Sequence, residues 1–164
     1  MPRCELPLKF NDSDELIVLK SAAIIKAIPV LDKAMGMYSS NWTDADVIVT
    51  EAVEIPFDRE YGAFLISLVE KCQVPDAELS QPEDYPELNA KSLPELRELM
   101  ELANYLECVT FMKAAAFIVS RKMTGGIPQI AEFIGVEYLD EQHIFDPKDG
   151  WEQVHDDPTP SQDA

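Results

Sequence analysis

Ser92-Leu93-Pro94-Glu95-Leu96-Arg97-Glu98-Leu99-Met100-Glu101-Leu102-Ala103-Asn104-Tyr105-Leu106-Glu107 reads as a helix whose start is spelled out in its first four residues. Ser92 and Glu95 form a capping box: the hydroxyl and the carboxylate each take one of the backbone N–H groups that a helix start leaves without a partner. Leu93, Leu96, Met100, Ala103 and Leu106 then fall along one side, with Leu99 and Leu102 beside them. A helix with so continuous an apolar stripe has to lie against a core.

On the C-terminal side a second helix is expected from about Val109 to Met123, with Arg121 and Lys122 against the negative end of its dipole and Gly125 or Gly126 ending it. Met112, Ala115, Ala116, Val119 and Met123 make one stripe. Phe111, Phe117 and Ile118 lie elsewhere on the circumference, so this helix is apolar on two faces. Pro128 opens a short third helix carrying Ile130, Ala131, Phe133 and Ile134, which stops near Gly135. From Glu137 to Ala164 there are nine acids and one base, broken by Pro147, Gly150, Pro158 and Pro160, and a flexible acidic tail is expected.

On the N-terminal side, residues 73–91 form an acidic, Pro-rich loop, expected to be disordered in part, with Asp76, Glu78, Glu83, Asp84 and Glu87 among Pro75, Pro82 and Pro86. Before it, Tyr61, Phe64, Leu65, Leu68, Val69 and Cys72 keep an unbroken helical spacing behind Asp58, a natural N-cap. Val53, Ile55 and Phe57 alternate as a strand, and residues 38–51 read as an exposed connection. Leu6, Leu8 and Phe10 alternate as well, and the turn residues Asn11 to Asp14 lead to a second run from Leu16 to Leu19: an opening hairpin, with Pro7 demoting its first strand to an edge. Ser21 caps a short helix that ends near Pro29, and Val30 to Met37 forms a further helical piece closed by Gly36.

The 164 residues make about one domain, and 46% hydrophobic content is enough to fill its core. With 31 acidic against 13 basic residues, the net charge of −18 argues against nucleic acid and against anionic membranes, because both need clustered Lys and Arg. No run approaches the ~20 apolar residues that span a bilayer, and the first ten residues lack the apolar stretch of a signal peptide; a soluble intracellular protein is expected. Cys4, Cys72 and Cys108 fit neither a disulfide framework nor zinc spacing and read as reduced thiols.

No catalytic constellation stands out. Both histidines, His143 and His155, lie in the tail, and Gly125-Gly126 lacks the surrounding pattern of a phosphate loop. Neither an enzyme nor a cofactor is expected. What does stand out is an apolar surplus in Phe111, Phe117, Ile118, Ile127, Ile130, Phe133 and Ile134, which either serves an interface or fills the chain's own core. From Cys108 to Ala131 there is also no acid, while Lys113, Arg121 and Lys122 are present: an island that steers an acidic partner or simply complements a helix dipole.

Leu99-Met100-Glu101-Leu102-Ala103-Asn104-Tyr105-Leu106-Glu107 resembles the "ANYLD" segment of the Skp family, the adaptor subunits of cullin–F-box (SCF) ubiquitin ligases. The opening hairpin, Val53-Glu54-Ile55-Pro56-Phe57, the helix ending Glu70-Lys71-Cys72, the acidic loop and Met123-Thr124-Gly125-Gly126-Ile127-Pro128 agree with it in order, over roughly residues 5 to 145. The resemblance is to a divergent member: Gly135 stands where a longer helix would continue, and Cys108-Val109-Thr110 replaces a more polar turn.

The resemblance implies an α+β chain of BTB/POZ fold: a small three-stranded sheet packed with helices over residues 5–106, then F-box-binding helices over 107–136 and the acidic tail over 137–164. It implies a non-enzymatic adaptor in ubiquitin-dependent degradation, in nucleus and cytoplasm, with a cullin and an F-box protein as partners. Asn104 and Tyr105 carry over as cullin contacts, although a capping Asn and a buried Tyr hydroxyl would account for the same pair. Ala116, Val119, Met123, Ile127, Ile130, Phe133 and Ile134 carry over as F-box contacts. The competing expectation is a self-associating or structural BTB protein of a chromosomal or cytoskeletal assembly, independent of a ligase.

Overall fold

The computed structural model describes residues 2–136 and is a mixed α+β chain with a four-stranded sheet and seven α-helices among those residues. The acidic tail expected over 137–164, with His143, Trp151 and His155, lies outside them. The chain divides into two compact units, Met1–Thr124 and Gly125–Ala164.

The sheet of the first unit is built around β1 (Cys4–Phe10), which pairs antiparallel with β2 (Ser13–Leu19) and parallel with both β3 (Val47–Ile48) and β4 (Val53–Ile55). Two expectations are corrected here. The sheet has four strands rather than three, because β3 arises inside the segment read as an exposed connection. Two residues are too few to show a period of two, so only the pairing of Cys4 with Val47 and Glu5 with Ile48 reveals that strand. The same segment buries Trp42 and Val49, and the Trp42 indole donates to Asp32 Oδ1 at 3.0 Å.

The second correction is that β1 is the central strand, not an edge, despite Pro7. Val47 and Val49 donate to the carbonyls of Arg3 and Glu5 at 2.8 and 2.9 Å, so alternate residues of β1 turn their backbone groups toward β3 and β4. Pro7, two residues beyond Glu5, is on that side, but β3 ends its pairing at Glu5 and β4 begins at Leu8. The missing N–H falls in the gap between the two short ladders, where no bond is lost.

Cys4, Leu6, Leu8 and Phe10 point from β1 into the core. The hairpin leads into α1 (Ala22–Ala27), where Ser21 Oγ accepts from Ile24 N as expected of a cap. Next comes α2 (Pro29–Tyr38), whose Gly36 lies within the helix instead of closing it. At the start of α3 (Arg59–Leu68) Asp58 makes no side-chain cap; Arg59 N donates instead to Asp12 Oδ1 at 2.8 Å, so the hairpin turn caps a helix 47 residues away. The capping box of Ser92 and Glu95 is formed at α5 (Leu93–Tyr105), and Leu96, Leu99, Leu102 and Ala103 are buried. Against α5 lies α6 (Val109–Lys122), which buries Phe111, Ala114, Ala115, Ile118 and Val119.

Residues 73–91 hold more structure than the loop expected there: a 3₁₀ turn over Pro82–Asp84 and α4 (Pro86–Asn89). Three side chains anchor the segment. Leu88 is buried, the Tyr85 ring meets Phe117 of α6 at 5.9 Å, and Lys91 Nζ sits 4.6 Å over the Phe64 ring of α3. Each partner is distant in sequence, so composition alone could not show the attachment.

In the second unit α7 (Ile127–Ile134) is bounded by two glycines with positive φ, Gly126 at +73° and Gly135 at +83°. Helix α6 ends earlier than the glycines expected to stop it, because Met123 is already extended, with its N–H held by Val119 O. Gly125 N donates to Gln129 Oε1 at 2.7 Å, and Val136 N reaches Ala131 O at 3.0 Å to close the last turn.

Candidate protein-binding surfaces

Asn104 and Tyr105 end α5 and are exposed, Tyr105 by 45%. Their presentation follows from how the helix stops. Glu107 takes φ +60°, its N–H goes to Asn104 O at 3.1 Å, and Cys108 N goes to Ala103 O at 2.8 Å. This is the paired closure of a Schellman turn, here built on a glutamate where a glycine is usual. Lys33 of α2 holds the Glu107 carboxylate at 2.6 Å. The backbone closes α5 without help from Asn104, whose side chain makes no hydrogen bond among the described residues. A capping Asn and a buried Tyr hydroxyl are therefore both set aside.

Tyr105 rests edge-on against Phe57, with ring centroids 5.7 Å apart and an interplanar angle of 58°. Its other side lines a shallow hollow of about 410 Å³ with Lys9, Phe10, Asn11, Glu54, Ile55 and Pro56. The hollow exists because β4 runs parallel beside the end of β1, in the register Lys9 with Glu54 and Phe10 with Ile55, and because Asn11 N is tied to Phe57 O at 3.1 Å. Sequence reasoning singled out the Asn-Tyr pair but not Phe57, Lys9 or Glu54. No local signal joins positions 9, 54 and 57 to position 105.

The seven apolar residues assigned to the second surface divide between the two units. In the first, Val119 is buried, whereas Ala116 and Met123 are half-buried at the C-terminal end of α6. Phe117 is half-buried between the Tyr85 ring and the Arg121 guanidinium, which lies 5.1 Å from its centroid. In the second unit Ile127, Ile130 and Ile134 are exposed by 67%, 42% and 56%, and Phe133 is half-buried. At 100° per residue these four occupy one side of α7, an apolar stripe on a helix of only eight residues. The surplus noted in the sequence thus resolves by position: Phe111 and Ile118 belong to the core, and the three isoleucines of α7 do not.

A hollow of about 460 Å³ lies between the end of α3 and the 73–91 segment, lined by Leu68, Cys72, Tyr85 and Leu88 among others. Burial, with a contribution from Glu87, pushes the Cys72 thiol above its usual range, and burial pushes the Cys108 thiol up to about 12. Both stay protonated at neutral pH and are poor nucleophiles. Among the described residues no group of three or more His, Cys, Asp or Glu side chains could hold a metal ion, and no helix is long and apolar enough to cross a membrane. Neither a protein-family model nor a curated protein matches the chain.

Proposed function

We propose that this chain is a non-enzymatic adaptor of BTB/POZ fold, a divergent relative of the Skp family, that joins a cullin scaffold to an F-box substrate receptor. The observation that carries the reading is the state of Tyr105. A large aromatic side chain is left 45% exposed at a helix end, without a hydrogen-bond partner among the described residues, yet held in one orientation by Phe57. An aromatic anchor fixed in advance loses little entropy on binding, which is what a protein-recognition hot spot requires. The exposed isoleucine stripe of α7 supplies a separate apolar surface for a second partner. An adaptor with two such surfaces works by raising the effective concentration of substrate near the transfer machinery, with no bond chemistry of its own.

The test is a pair of binding measurements on the full chain, with an immobilised cullin N-terminal domain and with an F-box peptide. Asn104→Ala with Tyr105→Ala is expected to weaken cullin binding at least tenfold, the loss of roughly 1.4 kcal/mol or more, and to leave F-box binding intact. Equal loss of both would mean that the substitutions unfold the chain. No binding of a cullin by the unmodified protein would remove the adaptor reading.

A further inference from the structure

The strand β2 has one paired edge and one open edge. Its only ladder is with β1, in the register Leu6 with Leu19, Pro7 with Val18 and Leu8 with Ile17. Ile17 and Leu19 face inward, and Leu19 is buried. Leu16 and Val18 lie on the opposite face and are exposed by 42% and 43%. Because Arg3 and Glu5 spend their carbonyls on β3, Leu6 and Leu8 turn theirs to Leu19 and Ile17. The N–H and C=O groups of Leu16 and Val18 therefore point out of the open edge, and among the described residues nothing meets them there. Sheet edges are ordinarily blunted by a charge or a proline at the centre of the strand, but Leu16-Ile17-Val18 carries neither.

The sequence of this edge is complementary to itself. An antiparallel pairing of two copies centred on Ile17 sets Leu16 opposite Val18 of the partner copy, on the exposed face of both. The same register sets Asp14 opposite Lys20. Both residues are exposed, and neither takes part in an ion pair among the described residues. Leu16 and Val18 then form two-way hydrogen-bonded pairs, four backbone bonds about the two-fold axis, flanked by an opposite charge pair at each end. A shift of one residue would put Asp14 opposite Leu19 and bring an inward face against an outward one. We infer that the chain forms a two-fold dimer by adding β2 of one copy to β2 of another, antiparallel and centred on Ile17.

The ladder is short, because the register shift between Leu8 and Phe10 bends β2 before Leu16. The dimer is accordingly weak, and repulsion between two chains of charge −18 opposes it, so added salt tightens it. This inference is independent of the adaptor reading.

Sedimentation of the full chain from about 1 to about 200 µM tests it, because a weak dimer shows as a concentration-dependent mass. Val18→Lys is expected to leave only monomer while the thermal midpoint stays unchanged, since the side chain is on the open face. Asp14→Lys and Lys20→Asp, each alone, set like charges opposite one another and weaken association roughly tenfold. An equimolar mixture of those two variants restores it, because both end pairs are then of opposite sign. Phe133→Asp, which alters α7, leaves the dimer in place. A chain that stays monomeric throughout the range overturns the inference. So does a dimer indifferent to Val18→Lys, a mixture no stronger than its components, or a dimer abolished by Phe133→Asp.

Discussion

The ring of Phe10 lies flat against the backbone of α3 at Gly62, so close that a β-carbon at position 62 would collide with the ring edge. Phe10 is 2% exposed and cannot swing aside. A glycine inside a helix costs about 1 kcal/mol relative to alanine, and here that cost lets α3 settle onto the end of β1. Position 62 thereby sets the distance between the sheet and the helix layer.

Two glycine-to-alanine substitutions should consequently move stability in opposite directions. Gly62→Ala overpacks the core and is expected to destabilise by about 1–3 kcal/mol. Gly36→Ala lies in the interior of α2 with no atom within 4 Å of the new methyl, and should stabilise by about 0.5–1 kcal/mol. Thermal midpoints of the two variants, one falling and one rising, check both.

Phe133→Asp should abolish capture of an F-box peptide and leave the cooperative unfolding of the free protein unchanged. Burying several large apolar side chains at roughly 1.5–3 kcal/mol each is ample for a stable complex after the entropy of association is subtracted. The isolated protein should also bind a hydrophobic dye at the exposed isoleucines of α7, and the peptide should suppress that signal. Unfolding of the free chain by the substitution would assign Phe133 to its own core.

The capping box of α5 should be visible in the acid limb of stability. Hydrogen bonds from the Ser92 backbone and hydroxyl hold the Glu95 carboxyl below its ordinary value of 4.5. A lowered folded-state value means that its contribution is complete above the unfolded value and is lost as pH falls through the folded one. The stability gap between the native chain and Glu95→Ala should be widest at neutral pH and close steadily below about pH 4.5. Ser92→Ala, which removes the cap hydroxyl, should cost about 1 kcal/mol at pH 7.

The alkaline limb should report Cys108. Its thiol is raised by burial from 9.0 to about 12, so the folded state keeps a proton that the unfolded chain releases above pH 9. The stabilisation is full below pH 9 and is lost as pH rises toward 12. Cys108→Ala should flatten that decline relative to the native chain. At pH 8 alkylation should label the half-buried Cys72 well before Cys108, which should react only on unfolding.

The helices α3, α5 and α6, the hairpin and the capping box were readable because each is written in residues a few positions apart. Apolar spacing of three and four, alternation of two, and a Ser followed by a Glu three residues later are all local signals. The exposed pair Asn104 and Tyr105 was readable in the same way, as a short motif at the end of a strongly patterned helix. Long-range partnership left no such trace. The pairing of β3 with β1, the cap that Asp12 lends to Arg59, the Phe57 ring under Tyr105 and the anchoring of the acidic segment by Tyr85 on Phe117 join residues 32 to 48 positions apart. The central place of β1 went against its own proline, since a break between two neighbouring strands can absorb a missing donor and no local pattern announces where that break falls. Local chain chemistry thus settled which segments are helices and strands and which faces are apolar. Packing settled which of those faces are spent on the core and which, as at β2 and α7, remain open, because burial is a property of what arrives from elsewhere in the chain.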